Sequence, residues 1–110
     1  DLLNCLLLLF KVFAMYRVDC RNITSYEDFI KNFNRVLIEP AGGKWDGNLD
    51  AFNDYLSWPP EAPYRLEILG TCRCEEVLNY VADKRHRKPL WSLLKEILLD
   101  NQEWVFVEFH

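Results

Sequence analysis

Hydrophobic and polar residues follow two different periods along the chain, and the changes between them mark the predicted elements. Residues 64–69 alternate apolar with charged side chains, which is typical of a half-buried strand, and Gly70 ends the run. Val12, Phe13, Tyr16 and Val18 suit a first strand that runs to Asp19 and whose start the pattern does not fix, and residues 104–109 form a further apolar run of strand length. The pattern therefore predicts three strands.

Between these runs, apolar residues recur at intervals of three and four, which predicts helices. Thr24 and Glu27 have the spacing of a capping box at the start of the first helix, and Pro89 suits the first turn of the last. Strands separated by helices imply right-handed crossovers and a small parallel sheet, so the sequence predicts an α/β fold. The predicted helices cover residues 25–37, 49–56, 74–82 and 89–99.

The second predicted helix combines an acidic face with an apolar one. Asn48 is a favourable N-cap, and leucine and phenylalanine follow it at the spacing of a core-facing stripe. Asp46, Asp50 and Asp54 stand four residues apart, a spacing that stacks side chains on one face of a helix. Like charges at that interval repel each other, so the row favours a cationic partner.

Composition narrows the class of partner. A chain of 110 residues that is half apolar fits one domain with a single core. Its formal net charge of −4 disfavours nucleic-acid binding and is compatible with a basic protein partner. The basic segment 84–88 is either a solvated turn or, as the lesser alternative, a nucleic-acid contact.

The four cysteines, Cys5, Cys20, Cys72 and Cys74, are expected to be reduced thiols, because a chain with a full apolar core does not require disulfides. Cys72 and Cys74 have no second close pair of Cys or His at zinc-ligand spacing. We therefore expect neither a metal nor a cofactor.

Catalysis is not expected either. His86 lies within the basic segment, and neither it nor His110 belongs to a recognisable nucleophile–base arrangement. Asp50 and Asp54 could imitate a catalytic carboxylate pair, but acidic residues one helical turn apart are common on surfaces. The sequence favours a binding protein over an enzyme.

Residues 1–14 are strongly apolar but lack the basic leading region and small-residue cleavage site of a signal peptide, and they are too short to span a membrane. They are either an N-terminal extension or upstream sequence joined to the protein. The domain is predicted over residues 15–110.

Residues 47–56, with the sequence Gly-Asn-Leu-Asp-Ala-Phe-Asn-Asp-Tyr-Leu, resemble the signature segment of the barstar family, which comprises intracellular inhibitors of secreted bacterial ribonucleases. The resemblance extends in order and spacing over residues 16–110. It implies three parallel strands packed with about four helices. It also implies a cytoplasmic protein, monomeric when unbound, whose partner is a basic ribonuclease or nuclease toxin rather than a nucleic acid or a membrane.

The resemblance also implies roles for individual acidic residues. Asp54 matches the carboxylate that enters the nuclease active site, and Asp50 matches the second carboxylate of the motif, with Asp46 extending the acidic row. Glu96 resembles an outlying acidic contact. Solvation at the surface is the alternative for each of them.

Three residues around the start of the helix have two interpretations each. Asn48 either contacts the partner or caps the helix, and Trp45 either contacts the partner or packs within its loop. Gly47 permits close approach or a positive φ. The chain departs from the family at Lys44, where an aromatic is usual, and at Asn53, which replaces a frequent Trp.

These departures suggest that the cognate nuclease is not barnase itself. They also leave open a second hypothesis, in which the chain is a barstar-like interaction module that binds another basic protein without inhibiting a ribonuclease.

Overall fold

The computed structural model describes residues 14–82 and 84–110, together with Leu2. From residue 14 onward, two helices lie between each pair of successive strands, in the order that the sequence predicts. The first helix continues directly into a π-helical turn, Asn34–Ile38. The strands are β1 (Ala14–Asp19), β2 (Tyr64–Leu69) and β3 (Val105–Phe109), and the helices are α1 (Tyr26–Phe33), α2 (Leu49–Tyr55), α3 (Thr71–Val77) and α4 (Leu90–Asp100).

The three strands form one parallel sheet in the order β1-β2-β3. The pairing register places Tyr16, Leu66 and Val107 side by side across the sheet. With four helices in the described residues from 14 onward, the chain has the predicted α/β fold, a three-stranded parallel sheet packed with four helices.

The central strand β2 has a buried face and a charged face, as its alternating sequence predicts. Tyr64, Leu66 and Ile68 are completely buried. On the opposite face, Glu67 accepts a hydrogen bond of 3.0 Å from Nε of Arg17 on β1, and Arg65 pairs with Glu108 on β3. Cross-strand ion pairs therefore line the outer face of the sheet, and the core lies on the other side.

An aromatic cluster connects the helices within that core. The rings of Phe29 and Phe33 on α1 lie 4.7 Å apart, and Phe33 contacts Phe52 on α2 edge-to-face at 5.3 Å. Trp91 on α4 meets Phe29 at 6.1 Å. Aromatic pairs of this kind contribute about 0.5–1.5 kcal/mol each beyond the area that they bury. The cluster fixes α2 against α1 and α4.

The predicted bounds of the third helix were wrong. Residues 74–82 were expected to be helical, but α3 covers Thr71–Val77. Gly70 has a φ of 78°, a conformation that glycine adopts at little cost, and it turns the chain from β2 directly into the helix. Val77 and Leu78 pack in the core, but Val81 is 53 % exposed, so the apolar repeat that suggested a longer helix does not continue on the core side.

The start of α1 also differs from the prediction. Ser25 is the N-cap, and its Oγ accepts a hydrogen bond of 3.2 Å from the Asp28 amide. Asp28 in turn accepts hydrogen bonds from the amide and hydroxyl of Thr24, at 2.9 and 2.8 Å. The capping interaction is therefore shifted by one residue from Thr24 and Glu27. These hydrogen bonds, chiefly the one from the Thr24 amide, lower the pKa of Asp28.

Most of the predicted N-terminal extension, residues 1–14, lies outside the described residues. Among the residues that the structure describes, no helix has the length and apolar character needed to cross a bilayer.

Candidate protein-binding site

The acidic helix α2 begins as the sequence predicts. Asn48 has a φ of −67° and a ψ of 129°, and its Oδ1 accepts a hydrogen bond of 3.0 Å from the Ala51 amide. Asp50 lies in the first turn, where a negative charge interacts favourably with the helix dipole. Asp54 follows one turn later, and both carboxylates are exposed. The helix therefore presents two acidic side chains on one face.

Asp46 does not belong to that helical row, because the helix begins only at Leu49. Its Oδ1 accepts a hydrogen bond of 3.0 Å from the Asn48 amide and closes a turn just before the helix. The predicted helical stacking of three carboxylates is thus wrong for Asp46. Its side chain is nevertheless exposed beside the cap, so both the loop and the helix present carboxylates at the surface. We refer to Asp46, Asp50 and Asp54 as the acidic face.

Trp45 lies in the core, with only 1 % of its surface exposed. Its ring stacks on Phe52 at 4.5 Å, and its indole N–H donates a hydrogen bond of 2.8 Å to the Asn48 carbonyl. Of the two interpretations of this residue, packing within the loop is the one that the structure shows, since a buried ring presents no surface to a partner. Trp45 instead fixes the loop that carries Asp46.

The Asn34 side chain forms two hydrogen bonds with the main chain of Trp45. Its Nδ2 donates a hydrogen bond of 2.8 Å to the Trp45 carbonyl, and its Oδ1 accepts one of 2.7 Å from the Trp45 amide. Asn34 is itself buried and opens the π-helical turn, in which the Glu39 amide donates to the Asn34 carbonyl at 2.8 Å. Sequence reasoning missed this residue, although an asparagine directly after Phe33, on the apolar side of a helix, was a signal for a buried polar contact.

Gly47 ties the loop to α1. It has a φ of 101°, and a Cβ placed there would lie 2.7 Å from Cδ1 of Ile30 and 3.2 Å from Cε2 of Tyr26. The Tyr26 hydroxyl donates a hydrogen bond of 2.7 Å to the Gly47 carbonyl, and burial raises the pKa of that hydroxyl. Of the two predicted reasons for a glycine, the positive φ is confirmed, and the close approach that the structure shows is to α1.

Replacing Gly47 with alanine is expected to destabilise the fold more than the same replacement at Gly42. Gly42 has a similar φ of 95°, but a Cβ there would meet nothing within 4 Å. Positive φ alone costs an alanine about 1–2 kcal/mol, and the contact with Ile30 should add about 1 kcal/mol for Gly47→Ala only. Urea denaturation of both variants measures the difference, and equal losses would show that Ile30 moves aside freely.

The far end of α2 is also held. The Tyr55 hydroxyl donates a hydrogen bond of 3.0 Å to the Lys44 carbonyl, and Nδ2 of Asn101 after α4 donates one of 2.8 Å to Oδ1 of Asn53. Lys44 and Asn53, the two departures from the family pattern, are both exposed. The loop and helix that carry the acidic face are therefore held by contacts at both ends.

Glu96 lies on α4 and is exposed, but it forms an ion pair with Lys88, whose Nζ donates to Oε1 at 2.8 Å. Contact with a partner would have to compete with this pair. Glu96 therefore differs from the residues of the acidic face, because its charge is already paired with a lysine.

The two cysteines on either side of Arg73 lie in different environments. Cys72 is exposed and Cys74 is buried, so the two thiols do not converge on one site. The neighbouring Cys74 thiol, together with burial, raises the pKa of Cys20. Among the described residues, Glu67, Glu108 and His110 do converge on the outer face of the sheet, where both carboxylates pair with arginines.

Comparison of the chain with protein-family models, with curated proteins and with solved structures finds no match.

Proposed function

We propose that the chain is a barstar-like inhibitor that binds the active site of a basic, barnase-type ribonuclease or nuclease toxin through the acidic face. The observation that supports this most directly is the exposure of Asp46, Asp50 and Asp54 on a rigidly anchored loop and helix. Asp50 and Asp54 lie one helical turn apart and repel each other, so a cationic partner explains this pair better than the stability of the fold does.

The chemistry of the partner follows from its substrate. A ribonuclease places arginine, lysine and histidine where RNA phosphates bind, and carboxylates can take the place of phosphates as acceptors for these groups. Pre-organisation by Asn34, Trp45 and Gly47 would reduce the entropy lost on binding, because the loop is already held in one conformation. The acidic face would also steer the encounter of the two proteins.

Within this proposal the residues have distinct roles. Asp54 enters the active site, Asp50 pairs with basic groups beside it, and Asp46 extends the contact into the loop. Asn48 caps the helix with Oδ1, which leaves its Nδ2 available for a partner. The role of the protein is then immunity against a nuclease that its own cell exports or a neighbour delivers, and it acts in the cytoplasm.

The experiment titrates the purified protein into a fixed amount of nuclease and follows the cleavage of RNA. The nuclease is the one encoded next to the gene of this protein or, if there is none, a barnase-type enzyme. We expect activity to disappear at one molar equivalent. Binding of the neighbouring nuclease without inhibition would instead favour the interaction-module hypothesis. If the protein neither binds nor inhibits that nuclease, the proposed function is contradicted.

A further inference from the structure

Two buried, free cysteines neighbour each other where β2 turns into α3. The Cys20 amide donates a hydrogen bond of 2.9 Å to the Leu69 carbonyl, and the Cys74 amide donates one of 3.1 Å to the carbonyl of the next residue, Gly70. Both side chains belong to the same core cluster and have no exposed surface. Attachment to consecutive peptide groups keeps the two thiols near each other, which is the first requirement for a disulfide.

The helix α3 buries little of its own surface. Of its seven residues, all of which the structure describes, only Cys74 is buried. Arg73 adds a hydrogen bond of 2.8 Å from its Nε to the Ile23 carbonyl. Elements with little buried apolar surface open locally without unfolding of the whole domain. Brief separation of α3 from the core would therefore expose both buried thiols to a small oxidant.

We propose that Cys20 and Cys74 are a modification site, at which a peroxide closes a reversible disulfide between the end of β1 and α3. This inference does not depend on the proposed function. The bond would connect the first strand of the sheet to the helix that follows the second strand. Because α1 and α2 lie between the two cysteines in the chain, it would close a loop that contains the acidic face.

The two thiols are expected to react in a fixed order. The neighbouring Cys20 thiol lowers the pKa of Cys74, whereas the Cys74 thiol and burial raise the pKa of Cys20. Since the thiolate is the form that reacts with oxidants, Cys74 is oxidised first. Cys20 then reacts with the oxidised sulfur.

The reaction consumes one molecule of hydrogen peroxide in two steps. The Cys74 thiolate attacks a peroxide oxygen, the O–O bond breaks and a sulfenic acid forms, while the departing hydroxide takes up the proton that Cys74 released. The Cys20 sulfur then attacks the Cys74 sulfur, the S–S bond forms and the S–O bond breaks, and the Cys20 proton leaves on a second water. Two thiols thus lose two electrons, and the peroxide is reduced to two waters. A dithiol reductant reverses the reaction by thiol–disulfide exchange.

Peptide mapping tests the proposal directly. The purified chain is treated with hydrogen peroxide or, as the control, with dithiothreitol, and the remaining thiols are blocked with N-ethylmaleimide in denaturant. Trypsin cleaves after lysine and arginine, so Cys20, Cys72 and Cys74 fall on separate peptides, 18–21, 66–73 and 74–84. Mass spectrometry should find peptide 18–21 linked to peptide 74–84 as the main product after peroxide, and the link should be absent after dithiothreitol.

Stability provides a second measurement. A disulfide restricts the unfolded chain, so peroxide should raise the urea midpoint of the wild type by about 1–2 M. Cys72→Ser, which removes an exposed thiol, should keep this response, and Cys74→Ala should lose it. If Cys74→Ala does not fold, the peptide map of the wild type still decides. Peptides 18–21 and 74–84 that stay unlinked after peroxide, or links that run mainly through Cys5 or Cys72, would overturn the proposal.

Discussion

Replacing Asp54 with alanine is expected to weaken binding to the cognate ribonuclease by about 3–5 kcal/mol and to leave the fold intact. In the complex, the Asp54 carboxylate would be surrounded by the cationic groups that normally hold a phosphate. Removing it leaves those groups buried without a counter-charge, which costs more than the loss of one surface ion pair. The loss should appear mainly as faster dissociation.

The isolated protein should tolerate this substitution. The Asp54 side chain is exposed, and within the described residues its carboxylate forms no hydrogen bond or ion pair. The contacts at this position are made by its main-chain carbonyl, which accepts hydrogen bonds from the amide and hydroxyl of Ser57 at 3.3 and 3.0 Å. These contacts remain in Asp54→Ala, so urea denaturation should show a change within about 0.5 kcal/mol.

Glu75→Ala is the matched control for this prediction. Glu75 is an exposed carboxylate on α3, outside the acidic face, so its removal changes the net charge equally. Long-range steering should therefore fall by a similar amount in both variants, and only Asp54→Ala should show the large change in dissociation rate. Isothermal titration calorimetry and stopped-flow kinetics measure the two effects separately. Equal affinities of the two variants would remove Asp54 from the centre of the site.

The elements that the sequence predicted well are those with a strict repeat. The bounds of β2 were correct because Tyr64, Leu66 and Ile68 alternate with charged residues, so only one register buries the apolar set. The N-cap of α2 was correct because Asn48 satisfies an amide that the helix itself leaves without a partner. In both cases nearby residues set the requirement, either burial of one strand face or capping of a helix amide, and it can be met in only one way.

The failures occurred where a tertiary contact overrides a local pattern. Spacing alone placed Asp46 in the helical row, but Gly47 and Asn48 break the repeat before the helix begins. Trp45 lies in a loop without periodicity, so nothing in its neighbourhood distinguishes a buried ring from an exposed one. Its position depends on Asn34, eleven residues earlier, which sequence reasoning did not consider.

Asn34→Leu is expected to destabilise the fold strongly, with a loss of about 3–5 kcal/mol in the free energy of unfolding. The substitution keeps a side chain of similar size in the core but removes both hydrogen-bonding groups. The amide and carbonyl of Trp45 would then be buried without partners, and each such group costs about 1–3 kcal/mol. For a domain with about 5–15 kcal/mol of total stability, this is a large fraction.

Asn32→Leu is the comparison that isolates this effect. Asn32 lies two residues earlier on the same helix, is only partly buried, and donates one hydrogen bond of 3.0 Å to the Asp19 carbonyl. Because water can replace that bond, its loss should cost about 1 kcal/mol. Urea denaturation of both variants gives the difference, and nearly equal losses would mean that water reaches the Trp45 peptide groups.

The same pair of variants connects stability with recognition. In Asn34→Leu the loop would lose the contact that fixes Trp45, and Asp46 and Asn48 would no longer be held in one conformation. We therefore expect weaker nuclease binding even at temperatures where the variant is fully folded, since the loop must then be ordered during binding. Asn32→Leu should bind as the wild type does. Unchanged affinity of folded Asn34→Leu would show that α2 alone carries the interaction, without the pre-organised loop.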